Sequence, residues 1–211
     1  MPALAYILIA LAAYLLGSIP TGYLVARAEG IDIRTVGSGN IGATNVFRAL
    51  GNVAGSFVLV ADGLKGYVAC TWMVDLTLCL VGLSPAGTEP FRIVAGVCAV
   101  LGHSFTCWLR FKGGKGIATT AGVYLALAPW ALLAALGVFI LALLATRIVS
   151  VASMSAAVAL PVAVWVLTPH NYFLGIVTTA LGALAIYKHK SNIQRLIAGT
   201  ENRLGQKKEA Q

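Results

Sequence analysis

Charge is the commodity this chain is short of. Only 10% of its 211 residues are Asp, Glu, Lys or Arg, against about 25% in soluble domains. A surface so poor in charge does not stay dispersed in water, which argues against a soluble globular domain. Three stretches carry no formal charge at all: Met1–Ala26, Ile117–Thr146 and Ile148–Tyr187. One crossing of a bilayer takes roughly 20 apolar residues, so these stretches hold several crossings rather than a single anchor. The four cysteines (Cys70, Cys79, Cys98, Cys107) form no CxxC pair, and three fall inside apolar stretches. Buried free thiols are expected, with no structural metal. No Lys or Arg precedes Arg27, so the basic start of a cleavable signal peptide is missing, and the first apolar span is expected to be retained.

What charge there is leans one way, with 15 Lys and Arg against 7 Asp and Glu, a net +8. On a soluble chain such an excess suggests nucleic acid. Here the basic residues stand in short segments between apolar runs, where they report topology first, and no nucleic-acid partner is expected. Apolar runs and their breakers predict seven helices, at about 3–25, 52–74, 92–109, 116–128, 130–147, 151–167 and 171–187. The fourth is short for a crossing, and one helix over 116–147 kinked at Pro129 is the competing arrangement. Loop charge favours the break. With it, the segments carrying Arg27, Arg34 and Arg48, then Arg110, Lys112 and Lys115, then Arg147, then the tail from Lys188 to Lys208 all fall on one side. The segment 75–91 and the turns at Pro129 and 168–170 fall on the other. The positive-inside rule then gives an all-α, polytopic membrane protein of seven transmembrane helices, N-terminus outside and C-terminus cytoplasmic. The expectation is one membrane-embedded domain over 1–211, with about 204–211 as a flexible cytoplasmic tail.

The basic segments share a composition. The first runs Gly37-Ser38-Gly39-Asn40-Ile41-Gly42-Ala43-Thr44-Asn45-Val46-Phe47-Arg48, and the second Phe111-Lys112-Gly113-Gly114-Lys115-Gly116, followed by Thr119 and Thr120. The third, near Arg147, has Ser150 and Ser153; the last contains His189, Asn192, Arg195 and Glu201. Glycines let a backbone turn its N–H groups inward as an anion-binding nest, and Lys and Arg suit phosphate. Two such loops on one membrane face point to phosphate-bearing ligands, although either alone reads equally well as a flexible connector. Gly37-x-Gly39-x-x-Gly42 matches the dinucleotide fingerprint in letters only, since a membrane helix rather than a strand precedes it. A Walker A loop fails because Gly116 follows Lys115. Asp62 and Lys65 share one face of the second span. Buried ionisable groups there read first as a pair holding the bundle and second as lining of the site. His103 reads as a packing histidine and His170 as incidental. If the last helix continues past His189, then His189, Asn192 and Arg195 form one stripe, either a functional face or a snorkelling interfacial cluster.

At these residues the sequence resembles the PlsY family, the integral-membrane acyl-phosphate:glycerol-3-phosphate acyltransferases of bacteria. The likeness runs from Tyr14–Pro20 to about Arg203. It rests on Gly37–Arg48, on Gly102-His103 with Phe111–Gly116, and on His189–Glu201; Asp62–Gly66 and Ser150–Ser153 resemble minor blocks. Thr106 departs from the Pro that many members carry after the Gly-His pair, a change expected to relax the third helix. The resemblance implies a bacterial inner-membrane enzyme with its active site on the cytoplasmic side. It would transfer a fatty acyl group from acyl phosphate to the 1-hydroxyl of glycerol 3-phosphate, giving lysophosphatidate and phosphate, the first acylation of phospholipid synthesis. Membrane lipid surrounds it, and an enzyme producing acyl phosphate is a candidate functional partner. Ser38, Gly39, Asn40, Thr44, Gly113 and Gly114 would hold the acyl-phosphate headgroup. Arg48, Lys115, Ser153, His189 and Asn192 would bind glycerol 3-phosphate, with Lys115 between the two phosphates. Lys115, His189 and Ser153 are the catalytic candidates; Asn45, Arg195 and Glu201 would support them. No metal and no cofactor is implied. The base is either His189 or a substrate phosphate oxygen, and the second is favoured because no carboxylate with triad-like spacing accompanies His189.

Other classes fit less well. No histidine has an aspartate four residues on, as soluble-type glycerolipid acyltransferases require. Asp32, Asp62 and Asp75 are too far apart for the metal cluster of alcohol phosphatidyltransferases. A transporter or flippase for a phosphorylated solute is the serious alternative, since Asp62 and Lys65 could serve at the midplane. Its polar groups, however, cluster at one surface.

Overall fold

A computed structural model describes residues 2–84 and 87–205. Among them are eleven α-helices, one 3-10 turn and no β-strand. The chain divides into two compact units, Met1–Pro129 and Trp130–Gln211.

The first unit opens with α1 (Pro2–Ser18) and α2 (Thr21–Ala28). The sequence predicts one span here, but Pro20 interrupts it: the ring offers no N–H and biases Ile19 away from helical dihedrals. Then come α3 (Ala43–Leu50), α4 (Asn52–Cys70), α5 (Trp72–Leu80), α6 (Glu89–Ser104), a 3-10 turn (Cys107–Leu109) and α7 (Ile117–Leu127). Carbonyls released at the helix breaks need partners, because apolar surroundings make an unsatisfied backbone group cost several kcal/mol. The Lys65 ammonium donates to Ile19 O at 2.5 Å, and Thr106 Oγ1 donates to Ser18 O at 2.6 Å. The Tyr14 hydroxyl donates to Phe105 O, also at 2.6 Å.

Small residues bring the helices to backbone distance, as in membrane bundles. A Cβ on Gly102 would overlap the backbone of Tyr14, and one on Gly17 that of Ala99, joining α1 to α6. Gly66 meets Thr119 and Gly122 meets Gly63 in the same way, joining α4 to α7. Ala5, Ile9, Ala13, Ala69, Val74, Leu78, Ala95 and Ala99 fill the core between them.

The second unit consists of α8 (Pro129–Thr146), α9 (Val149–Leu167), α10 (Tyr172–Lys188) and α11 (Lys190–Ile197). Asn171 Oδ1 caps α10 by accepting from Leu174 N–H at 3.0 Å. Gly175 lies against the Trp165 ring, and Gly182 against the backbone of Ala157, seating α10 on α9.

Among the described residues, five helical segments are long and apolar enough to cross a membrane: Pro2–Ala28, Asn52–Leu80, Glu89–Leu109, Pro129–Thr146 and Val149–Leu167. Two shorter apolar helices, Ile117–Leu127 and Tyr172–Lys188, accompany them. Several expectations need correction. The second span runs on to Leu80 after a break at Thr71, so Asp75 lies in a helix and not in a loop. There it takes Arg92 Nη2 as partner at 2.8 Å. α6 stops at Ser104, so Thr106 does not relax a helix; at φ −62° and ψ 128° it keeps a shape proline would adopt and adds the bond to Ser18. The continuous helix across Pro129 does not form, since Ala128 breaks the run at φ −151° and ψ 71°. All four cysteines are free, but only Cys70 is buried; Cys79 is exposed. The end of the expected tail, 206–211, lies outside the described residues.

The α4–α7 contact allows no added atom at Gly122. Gly122→Ala is expected to cost about 1–3 kcal/mol through overpacking, read as a lowered thermal midpoint in detergent. Gly137→Ala, where the added Cβ meets nothing within 4 Å, serves as the neutral control.

Candidate active site

The Gly37–Arg48 segment is shaped by its own side chains. Gly37 and Gly39 sit at φ 62° and 68°, a region that side chains other than glycine's rarely enter. Asn45, on the first turn of α3 and 2% exposed, staples the loop. Its Nδ2 donates to Val36 O at 2.9 Å and to Ile33 O at 3.2 Å. Its Oδ1 accepts from the Ser38 N–H at 2.9 Å. Asn40 Oδ1 accepts from Gly42 N–H at 2.9 Å, an Asx turn that launches α3. Thr44 and Arg48 follow four residues apart on one face of that helix. Ahead of the loop, Arg34 forks onto Asp32 at 2.6 and 2.9 Å. The hydrogen bonds from Arg34 hold the Asp32 carboxyl down at about 2, so this exposed ion pair stays charged at any working pH.

The second loop hangs from the end of α6. Arg110 and Phe111 both take the left-handed conformation, at φ 53° and 61°, a strained pair of the kind that collects at functional sites. Gly114 N–H donates back to His103 O at 3.0 Å. Gly113 lies so close to the His103 and Ser104 backbone that no Cβ fits, and a Cβ on Gly114 would overlap His103 Nε2. Gly116, at φ 79°, opens α7, whose first N–H groups point back toward the loop, as suits an anion. Lys115 is half-buried between them. One apolar cluster holds Ile33, Ile41 and Val46 from the first loop region together with Leu109 at the root of the second. The two loops are therefore rooted in one cluster, with Ser38, Gly39, Asn40, Thr44, Asn45 and Arg48 on the first and Gly113–Lys115 on the second.

In the second unit the organising group is Glu201, whose side chain is 3% exposed. Its Oε1 accepts from Asn192 Nδ2 at 2.7 Å and from Ser150 Oγ at 2.9 Å; its Oε2 accepts from Arg195 Nε at 2.7 Å. Leu204 N–H donates to Arg147 O at 2.7 Å, so the segment after α11 folds back over the start of α9. Ser153 lies one turn beyond Ser150 on α9 and is also buried. Burial alone would raise the Glu201 pKa, but the three donated hydrogen bonds and the Arg195 charge outweigh it and hold the carboxyl below its usual value.

The last helix does not continue through His189, as the stripe would need. His189 ends α10 and starts α11, so only Asn192 and Arg195 keep the shared face. His189 is buried, with Nδ1 2.7 Å from Ala185 O. A carbonyl only accepts, so Nδ1 carries a proton and the neutral ring keeps its lone pair on Nε2. Sequence reasoning gave Ser150 no role. The available signal was its i,i+3 spacing from Ser153 and the presence of a single acid in the described part of the tail.

The sequence profile of glycerol-3-phosphate acyltransferases matches residues 7–199. The chain belongs to that family. Glycerol-3-phosphate acyltransferases similar to it include those of Geobacter metallireducens (50% identical over 197 residues, 93% of this chain and 96% of the relative) and Thermosynechococcus vestitus (48% over 203 residues, 94% of each). That of Geotalea daltonii is 45% identical over 196 residues, 93% of this chain and 96% of the relative. The crystal structure of PlsY, an integral membrane glycerol 3-phosphate acyltransferase, in its glycerol 3-phosphate form superposes with a TM-score of 0.86. It is 37% identical, with 95% of this chain and 96% of that chain covered. The lysophosphatidic acid form gives a TM-score of 0.82 at 37% identity, covering 95% of each chain. This PlsY-family chain is thus an all-α, multi-pass integral membrane acyltransferase of phospholipid synthesis, and the transporter alternative is set aside.

Glu201 yields a prediction with a definite sign. A depressed folded pKa stabilises the fold fully above the unfolded value of 4.5, and that contribution is lost as pH falls through the folded value. Thermal midpoints measured from pH 7 down to 3 are expected to fall more steeply for the wild type than for Glu201→Gln. At pH 7 the variant is expected to be the less stable of the two.

Proposed function

We propose that this enzyme takes acyl phosphate as its donor and works at the cytoplasmic face of the bacterial inner membrane. The carbonyl carbon of the donor is attacked by the 1-hydroxyl oxygen of glycerol 3-phosphate. The new ester C–O bond forms, the bond from the acyl carbon to the phosphate oxygen breaks, and the hydroxyl proton leaves with phosphate. Ser38, Gly39, Asn40, Thr44 and the Gly113-Gly114 turn hold the donor headgroup. Arg48, Lys115, Ser153, His189 and Asn192 hold glycerol 3-phosphate, and Lys115 screens one phosphate from the other. The two units form one acyltransferase domain in this reading, which the span of the family match across both supports.

The observation that carries the reading is the pair of glycine loops rooted in one apolar cluster, each opening onto a helix N-terminus. An acyl phosphate is already activated, so orientation and charge neutralisation are the main tasks left to the protein. A substrate phosphate oxygen accepts the proton. His189 serves as a binding and orienting group, consistent with Nδ1 being committed to a main-chain carbonyl rather than to a carboxylate that would raise its basicity. Asn45 holds the donor loop, and Glu201 holds Asn192 and Arg195.

Seven crossings, with the N-terminus outside and the C-terminus inside, follow if the two shorter apolar helices also span. The break at Ala128 supports that count, as does the positive-inside rule, since seven crossings collect the basic loop segments on one side. The eleven residues of α7 rise only about 16 Å. Crossing there sets the Gly113–Gly116 loop below the membrane surface, tolerated where backbone lines a polar cavity.

Purified protein given palmitoyl phosphate is expected to release phosphate only when glycerol 3-phosphate is added, with lysophosphatidate as the other product. Lys115→Ala is expected to lower kcat/KM at least 100-fold, the scale of losing one electrostatic stabiliser; full activity would remove its bridging role. His189→Ala is expected to raise the KM for glycerol 3-phosphate. Turnover at saturating substrate should then stay within about tenfold of wild type, since a lost general base costs about 100-fold or more.

A further inference from the structure

Asp62, Lys65 and His103 take no part in the substrate assignments above, yet all three are buried. Ionisable groups among membrane helices are costly and point to a function. Lys65 Nζ donates to Asp62 Oδ1 at 2.7 Å and to the carbonyl of Ile19, at the break between α1 and α2, at 2.5 Å. The same Asp62 Oδ1 lies 3.8 Å from His103 Nδ1. The opposite edge of the imidazole, Nε2, lies against Gly114 so closely that a Cβ there would overlap it. The His103 carbonyl also accepts the Gly114 N–H. His103 therefore holds Gly114 at two points, one by side chain and one by main chain.

The far end of the loop answers to the same helix. α7 starts at Ile117 and packs on α4 through Gly66 against Thr119 and Gly63 against Gly122. Lys115 thus stands between two anchors, both referred to α4. Apolar residues would pack the bundle as well without the cost of desolvating two charges, so packing alone does not account for the pair. What a carboxylate adds is direction. With Asp62 facing Nδ1, the ring is turned so that its Nε2 edge meets Gly114.

We infer that Asp62, Lys65 and His103 are positioning residues that set the Gly113–Lys115 loop for the acyl phosphate. The inference rests on the reading above that this loop holds the donor. The test uses full-length enzyme in detergent, with kcat, the KM for each substrate and the thermal midpoint measured for His103→Leu, His103→Gln, Gly114→Ala and the double variant Asp62→Leu/Lys65→Met. In His103→Leu and in the double variant, the KM for acyl phosphate is expected to rise about tenfold, as a sub-ångström to ångström displacement of a binding loop would cause. The KM for glycerol 3-phosphate is expected to stay within about twofold in both; the thermal midpoint is expected to be largely kept in His103→Leu and to fall in the double variant, which leaves the Ile19 carbonyl without its donor. His103→Gln, which retains a polar group near the Nε2 position, is expected to recover most of the loss. Wild-type KM values in both variants, or an equal rise for both substrates, would overturn the inference. So would a loss of folded protein with unchanged constants. If either variant does not fold, Asp62→Asn, close to it in volume, carries the same comparison. Gly114→Ala, whose Cβ displaces the loop from the His103 ring, separates the two levels. An unchanged acyl-phosphate KM there defeats the loop reading itself; a raised one beside a wild-type His103→Leu defeats only the positioning role.

Discussion

A helix that ends inside an apolar medium exposes carbonyl groups that water cannot reach, and both glycine loops of this protein follow the end of a helix. The break at Pro20 leaves the carbonyls of Ser18 and Ile19, which Thr106 and Lys65 take up. The end of α6 leaves that of Phe105, taken up by Tyr14. These bonds run between helices, so the same side chains that satisfy the breaks also fix α1, α4 and α6 against one another. The irregular backbone the site requires is thereby held by a rigid frame. Loops without such ties would give their ligands no defined place.

Glycine serves two purposes here, and the distinction is geometric. At Gly66, Gly102 and Gly122 the missing Cβ lets helices approach to backbone distance, which suits membrane helices that gain little from apolar burial among apolar lipids. At Gly37, Gly39 and Gly116 the residue is needed for its positive φ, which reverses the backbone within a few residues. Gly114 combines a loop position with a close approach, since it must pass the His103 ring. Close packing and a turned backbone thus draw on the same residue type for different reasons.

Polar side chains in the second unit are organised by one carboxylate. Three donors converge on Glu201 from α9 and α11, so that Asn192 and Arg195 are held before any ligand arrives. Preorganisation of this kind suits the reaction proposed above, whose donor is an already activated acyl phosphate. The remaining barrier lies largely in bringing two anions together, and fixed dipoles and cations lower it without reorganising.

The sequence by itself determined the composition of the layers. Charge-free stretches must be helices in a membrane because no other open structure satisfies its own backbone, and loop charge favoured a break at Pro129 over one kinked helix across 116–147. Glycine and asparagine in Gly37–Asn45 likewise announced a turned backbone, because local sterics decide φ within a few residues. Only the tertiary structure decided the rest. The stop of α6 at Ser104, the run of helix through Asp75, the turn at His189 and the convergence of Ser150, Asn192 and Arg195 on Glu201 depend on partners distant along the chain. So does the place of His103 beside Gly114, since it takes the packing of α6 and α4 to bring Asp62 to the ring. Periodicity and composition record what each segment prefers alone, whereas these contacts exist only once helices have met.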